Sequence, residues 1–566
     1  MRYAAIVVLL FVAQEKQEKP YQPMGAPSDP RVDVRWNRYH DHGEIAKIFS
    51  DLAKAFPNAA KLSTLGKSYG GRDMLVMTIT NFAVGSEMEK AAFWVDGGIH
   101  ANELQGPEVA AYTAWYLCEM NGRLPFITKL LNERVFYILP MLSPDSRDAH
   151  MYKPNTTHSP RSGQRPVDDD KDGLVDEDGP DDLDGNDSIS QMRIKDPNGR
   201  YKKHPDFPDM MVPCKPDETG EYTMLGMEGI DNDGDGRVNE DGDGFYDPNR
   251  DWAWNWQPDY VQHGAHRYPF SILENRMMAD FVASHPNLAG AQSFHNAGGM
   301  ILRGPGAKTD RYDGSDVGVY DVIAKKGEQM LPGYRYLDVA FGLYEVWGGE
   351  LDWLYAMQGI LTFSNELWTN FNLFRRDAQE TDTQFFNRHL LFNEGVSPWK
   401  EVAHPQFGRV EVGGFRKEWT RQPPSFLLEE ECHRNMAFVV YHADQMPQIK
   451  VQSLESRALE GGLMEITAVI TNPKVIPTRL AVDVKNGITP RDRVTLQAKD
   501  LKVITALVST DRFFRGAKEQ KRKPEELRLD TVPGMGAVYC RWIVKGVGPY
   551  TVTARSAKGG TDAVIR

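Results

Sequence analysis

Phe93-Trp94-Val95-Asp96-Gly97-Gly98-Ile99-His100-Ala101-Asn102-Glu103-Leu104-Gln105-Gly106-Pro107 reads as an apolar strand, a short polar turn and a helix start. The helix is expected to run from Gly106-Pro107 through Tyr116, which leaves His100 and Glu103 on the loop between strand and helix. Other apolar runs, Val135 to Leu142, Leu288 to Phe294 and Ile360 to Phe363, likewise lead directly into polar motifs, and amphipathic stretches separate them. This alternation predicts an α/β fold, a mixed central sheet flanked by helices, with its site at the carboxyl ends of the strands. The second of the later runs ends at His295, so the chain carries a candidate set of two histidines and one carboxylate. Zinc accepts these donors, and three protein ligands leave a fourth position for water, which points to a hydrolase.

A lone His-x-x-Glu is also what a surface ion pair looks like, so the accompanying motifs matter. Asn249-Arg250-Asp251-Trp252, Ser293-Phe294-His295-Asn296, Tyr344 with Trp347-Gly348-Gly349-Glu350-Leu351-Asp352-Trp353, and Phe363-Ser364-Asn365-Glu366-Leu367 follow in order. With these the sequence resembles the zinc metallocarboxypeptidases of the carboxypeptidase A type, over roughly Val32 to Gln445 with one large insertion. Carboxypeptidase A is itself a standard instance of a His, His, Glu catalytic zinc site, so the ligand set His100, Glu103 and His295 is implied by the resemblance. The same resemblance implies Glu366 as general base and acid, Asn249 and Arg250 as the grip on a terminal carboxylate, and Tyr344 as its cover. It implies an arginine that polarises the scissile carbonyl; Arg161 and Arg165 are both candidates, with Arg161 favoured. Leu351 and Gly306 match positions that set terminal-residue preference, and since neither is acidic, an apolar or aromatic residue is expected there.

Charge is concentrated in one segment. From Asp168 to Asp247 there are 25 Asp and Glu against 8 Lys and Arg, a net −17, so the remainder carries +4 of the total −13. The imbalance argues for cations and against nucleic acid as partner. Asp168-x-Asp170-x-Asp172-Gly173-Leu174-Val175-Asp176 recurs 63 residues later as Asp231-x-Asp233-x-Asp235-Gly236-Arg237-Val238-Asn239. Oxygen donors on alternate residues followed by Gly suit calcium, and the eight Asp and Asn positions just named are the expected ligands. The twelfth positions, Gly179 and Gly242, exclude a true EF-hand; the loops look more like those of thrombospondin-type repeats, with Glu177 and Glu240 as further candidates. A shorter candidate lies at Asp182-Leu183-Asp184-Gly185-Asn186.

At 566 residues the chain should hold two or three domains. Residues 1–13 read as a secretory signal peptide, 30–445 as the catalytic domain with the acidic insertion at 160–247, and 450–566 as a small β-sandwich. In that last region Leu463 to Thr471, Arg479 to Val484, Leu501 to Ser509 and Val538 to Val544 are the expected strands. Only Gln14 to Pro30 separate the leader from the catalytic domain, so the family's large inhibitory prosegment is expected to be missing. Four scattered cysteines exclude a disulfide scaffold, and no stretch is long and apolar enough to span a membrane. The expectation is a zinc carboxypeptidase, secreted, periplasmic or at the cell surface, acting on peptide or protein carboxyl termini. Two other classes stay open: a zinc amidohydrolase acting on acyl-amino acids or cell-wall peptides, and a non-catalytic, calcium-dependent binding protein on the same fold.

Overall fold

The structure is a computed structural model and describes Tyr21, 23–244 and 246–566; the expected leader, 1–13, lies outside the described residues. In chain order the strands up to residue 415 are β1 (Ala60–Lys67), β2 (Asp73–Ile79), β3 (Ala91–Gly97), β4 (Arg134–Leu139), β5 (Gln191–Lys195), β6 (Tyr201–Lys203), β7 (Met211–Pro213), β8 (Tyr222–Met227), β9 (Leu288–Asn296), β10 (Met300–Arg303), β11 (Arg335–Asp338), β12 (Leu361–Leu367), β13 (Val396–His404) and β14 (Gly408–Phe415). Eight of them form one mixed sheet in the order β1-β2-β4-β3-β9-β12-β10-β11. Its centre, β4-β3-β9-β12, is parallel; β2, β10 and β11 run opposite to it, and β1 pairs antiparallel with β2.

Strand alternation explains the two cores. Phe93, Val95, Phe136 and Ile138 face helices His42–Ala55, Gln105–Met120, Gly314–Met330 and Ser425–Asp444, whereas Trp94, Tyr137 and Leu139 face Leu273–Ala283 and Glu350–Gln358. From β3 the chain passes to β4 on one side and later returns to β9 on the other, and this change of direction opens a crevice at the carboxyl ends of β3 and β9. Among the described residues no helix is long and apolar enough to cross a membrane.

The insertion is not loops alone. Its strands β5 to β8 join β13 and β14 in a second, six-stranded sheet, β13-β14-β5-β8-β6-β7. Beyond residue 449, β15 (Lys450–Leu459), β16 (Leu463–Asn472), β17 (Asp492–Ala498), β18 (Lys502–Ser509), β19 (Lys518–Glu519), β20 (Glu526–Leu529), β21 (Gly536–Lys545), β22 (Tyr550–Ser556) and β23 (Gly560–Ile565) make two antiparallel sheets. Both sheets contribute to one apolar core, centred on Trp542, Ile466, Val494 and Val552. The segment expected as a strand at Arg479 to Val484 is instead part of a short helix, Ala481–Asn486. Asp316, in helix Gly314–Met330 beside the eight-stranded sheet, accepts the Ala481 and Val482 N–H groups at 2.7 and 3.0 Å, and Gly487, at φ 64°, ends the turn, so tertiary capping overrides the β-branched residues. All four cysteines are buried and free.

Candidate active site and cation loops

His100, Glu103 and His295 converge. Glu103 Oε1 lies 3.0 Å from His100 Nδ1 and Oε2 lies 3.1 Å from His295 Nδ1, while the two Nδ1 atoms are 3.3 Å apart. Donors about 2.0–2.1 Å from a tetrahedral zinc ion sit about 3.3 Å from one another, so this buried triad has the donor chemistry and the spacing that zinc requires. Burial opposes the Glu103 charge, but the two imidazoles outweigh it and hold its pKa well below the carboxylate range.

Asp247, which sequence reasoning passed over, orients the first ligand. Its Oδ1 lies 2.8 Å from His100 Nε2, which places the ring proton there and turns the Nδ1 lone pair to the triad. The signal was present, since Asp247 stands two residues before Asn249-Arg250. Behind His295, Ser293 Oγ lies 2.7 Å from Asp96 Oδ1 and 3.2 Å from Glu350 Oε2. Burial, then the neighbouring Asp96 carboxylate, pushes Glu350 well above the carboxylate range.

Glu366 is brought to the triad by sheet register, because β12 runs parallel to β9 with Glu366 opposite His295. It lies inside the strand, since β12 continues to Leu367 instead of ending with the apolar run. Burial and then the Glu103 charge raise its pKa. Arg161 joins the cluster, with Nη1 3.1 Å from Glu103 Oε1 and Nε 3.5 Å from Asp247 Oδ2. Arg165 lies elsewhere, beside Tyr246 and His266. A second guanidinium, Arg421, sits 3.2 Å from Glu103 Oε1 and donates to Asn296 O at 2.6 Å. No sequence motif marked Arg421, because it arrives from beyond β14.

A cavity of about 940 Å³ opens beside the cluster, lined by Arg161, Asp247 and Arg250 among others. Arg250 is held by Asn249 O at 2.7 Å and by Asp247 Oδ2 at 3.7 Å. Asn249 Oδ1 accepts the Glu350 N–H at 2.9 Å at the start of helix Glu350–Gln358. Tyr344, 49% exposed, stands on the loop before that helix. Leu351 packs with Met300, Leu302, Val339 and Val346. Gly306 donates its N–H to Asp352 Oδ2 at 2.8 Å, and a Cβ there would lie 2.7 Å from that oxygen. Arg303 is turned to the Tyr336 hydroxyl at 2.7 Å and to Asp338.

The acidic repeats interlock. Asp241 accepts the Asp169 and Asp176 N–H groups at 3.2 and 3.0 Å, and Asp178 accepts those of Asn232 and Asn239 at 3.0 and 2.9 Å. Every partner in one set is displaced by 63 residues from its counterpart, so the two loops are related by a local twofold. The carboxylates converge across loops: Asp170 with Asp235 and Glu240, and Asp172 with Glu177 and Asp233, besides Asp168, Asp170 and Asp172 within the first. Burial and neighbouring carboxylates push Glu177 and Glu240 up to about 7. Asp231 accepts Gly234 and Gly236 N–H groups. Two expected ligands also brace the scaffold: Asp176 Oδ1 accepts Val167 and Gly244 N–H groups, and Asn239 Nδ2 donates to Met227 O, which leaves Asn239 Oδ1 buried without a hydrogen-bond partner. At the third candidate, Asp182 is occupied by the N–H groups of Gly185, Asn186 and Asp187.

Comparison with known families settles the class. A model described as zinc carboxypeptidase matches residues 45–176 and 229–388, more than half of the chain. The chain belongs to the zinc carboxypeptidase family. The family match breaks over the inserted strands, and residues 448–564 match a family described as a domain of unknown function. Among curated relatives, rat carboxypeptidase A2 is 24% identical over 59% of this chain and 64% of its own length. The inactive metallocarboxypeptidase ECM14 of Ajellomyces capsulatus (strain H143) is 26% identical over 24% of this chain and 23% of its own. The chain thus spans less than two thirds of these relatives. Among solved structures, thrombin activatable fibrinolysis inhibitor aligns at 17% identity and TM-score 0.45, covering 74% of this chain and 79% of that one. Carboxypeptidase A from Helicoverpa armigera aligns at 19% and 0.41, covering 60% and 67%.

Proposed function

We propose that this zinc carboxypeptidase homologue is an active enzyme that hydrolyses the carboxy-terminal peptide bond of peptides. The observation that carries the reading is the intact set of His100, Glu103 and His295 with Glu366 in register beside it. Zinc held by the triad supplies Lewis acidity at a carbonyl and acidifies a water. The chain's own groups do the rest. Glu366, with its raised pKa, takes the water proton and returns it to the leaving amine. Arg161 stays protonated because the carboxylates of Asp247, Glu103 and Glu366 outweigh its burial, and it is placed to stabilise a developing oxyanion. Arg250 and Asn249 hold the terminal carboxylate, and Tyr344 closes over it.

Leu351 in its apolar cluster supports a preference for apolar or aromatic terminal residues. The interlocked acidic loops support structural calcium, and the leader-like residues 1–13 support export to a secreted, periplasmic or cell-surface location. An amidohydrolase reading would leave the Asn249, Arg250 and Tyr344 arrangement without a task, and a purely binding role would leave Glu366 without one.

Glu366→Gln tests the reading. It should retain zinc and lose roughly 10²-fold or more in kcat; near-normal turnover would remove Glu366 from the mechanism.

A further inference from the structure

Beside the cavity that holds Arg161 and Arg250 lies a second one of about 500 Å³, lined by Phe207, Met210, Met211, Trp399 and Phe415 among others. The two share His158 and Met227, so they lie next to each other across these side chains. The wall of the second is built where the insertion meets the catalytic unit, for β5 pairs with β14 and Met227 ends β8. Its Trp399 is held in place, with the indole N–H donating to Asp209 O at 3.0 Å. The Arg193 guanidinium lies 3.8 Å from the Trp399 ring and 4.1 Å from that of Tyr222, and an ion pair to Glu411 at 2.6 Å holds it there.

The rim is tied to the catalytic cluster. Asn102, next to Glu103, donates to Thr157 O at 3.2 Å, and His158 Nδ1 lies 3.0 Å from Arg421 Nη1, whose other nitrogen reaches Glu103. On the carboxypeptidase reading Arg250 and Arg161 hold the terminal residue, and His158 and Met227 line the same cavity where it meets the second pocket.

We propose that this pocket receives an apolar or aromatic side chain of the peptide, upstream of the bond that is cut, so that the insertion makes the enzyme selective for longer peptides. The proposal rests on the carboxypeptidase reading above. Its occupant is the substrate itself, because the pocket adjoins the cavity that holds Arg161 and Arg250, and within a largely polar lining Phe207, Met210, Met211, Trp399 and Phe415 offer apolar surface that adapts to varied side chains.

The test scans one Phe through the upstream positions of an otherwise Gly-rich peptide with a fixed free carboxyl terminus. At one or two positions kcat/KM should rise at least about tenfold, equivalent to about 1.4 kcal/mol. Met227→Trp, which narrows the junction, and Met210→Asp, which charges the pocket, should each abolish that rise. A blocked dipeptide too short to reach the pocket reads the zinc site alone and reports whether each variant has folded. A flat Phe scan, or a preference that survives both substitutions while the dipeptide is cleaved, overturns the proposal. Should the wild-type protein cleave no peptide, the carboxypeptidase reading fails, and direct titration of the best Phe peptide then reads the pocket. Its Kd should weaken about tenfold in Met227→Trp, and equal affinity overturns the proposal.

Discussion

Removing Asp247 should loosen the metal without touching a metal ligand. Its carboxylate makes four contacts: His100 Nε2 at 2.8 Å, the Asn249 N–H at 2.7 Å, Arg161 Nε at 3.5 Å and Arg250 Nη2 at 3.7 Å. Asp247→Ala leaves the His100 ring proton unpaired at a position only 2% exposed, so the imidazole loses both its fixed tautomer and part of its basicity. Loss of such a partner costs 10–100-fold in metal affinity, about 1.4–2.7 kcal/mol. Asp247→Asn keeps an oxygen that can accept the same proton and loses only charge, so it should lie near the tenfold end, with Ala near the hundredfold end. Zinc Kd by competition with a chelating dye measures both, and melting of the metal-free proteins reports any change in the scaffold caused by the two arginines losing a counter-charge. An Ala variant within twofold of wild type, or an Asn variant weaker than Ala, would refute the assigned role.

Calcium should raise the melting temperature of zinc-loaded protein, by the equivalent of about 2.7 kcal/mol at a hundredfold excess over Kd. Because Asp178 and Asp241 each cap the other loop, Asp241→Ala should weaken calcium binding in both; loss confined to one loop, or an unchanged melting point with calcium, would contradict the pairing. Peptides ending in Phe or Leu should exceed otherwise identical ones ending in Lys in kcat/KM, and Lys in first place would contradict the terminal-residue preference drawn from Leu351. His442, buried between Phe93 and Phe363, has its folded-state pKa pushed down to about 3, against about 6.5 when unfolded. Between those values only the unfolded chain binds the proton, so stability present above pH 6.5 is lost as pH falls, by about 2 kcal/mol at pH 5. His442→Leu should flatten that slope in denaturant titrations at several pH values, and an unaltered slope would show that the ring is not buried neutral.

Local chemistry made the catalytic unit legible. The strand-loop-helix at Phe93 to Tyr116 and the strand into His295 announce themselves through apolar runs that stop at polar motifs, and the sheet then brings their ends together. Asp247 and Arg421 were hidden because their roles depend on where a distant chain segment returns, 147 and 318 residues away from His100 and Glu103 respectively. The inserted sheet escaped notice for a different reason. Its acidic flanks dominate the composition, and β5 is placed by pairing with β14, which lies about 200 residues later, so no local pattern announces the strand. Arg479 to Val484 reads as strand by residue type, yet Asp316 caps it into a helix, a contact that no local pattern encodes. The loop repeat was plain in sequence, but the exchange of caps between loops follows only from their mutual approach.

The most direct test of the account is hydrolysis of one peptide in two forms, with a free and with an amidated carboxyl terminus, by protein loaded with one equivalent of zinc and by the same protein after chelation. The account predicts release of the single terminal residue from the free form alone, loss of activity on chelation and its return with zinc. Equal cleavage of the amidated peptide, or activity that persists in metal-free protein, would contradict it.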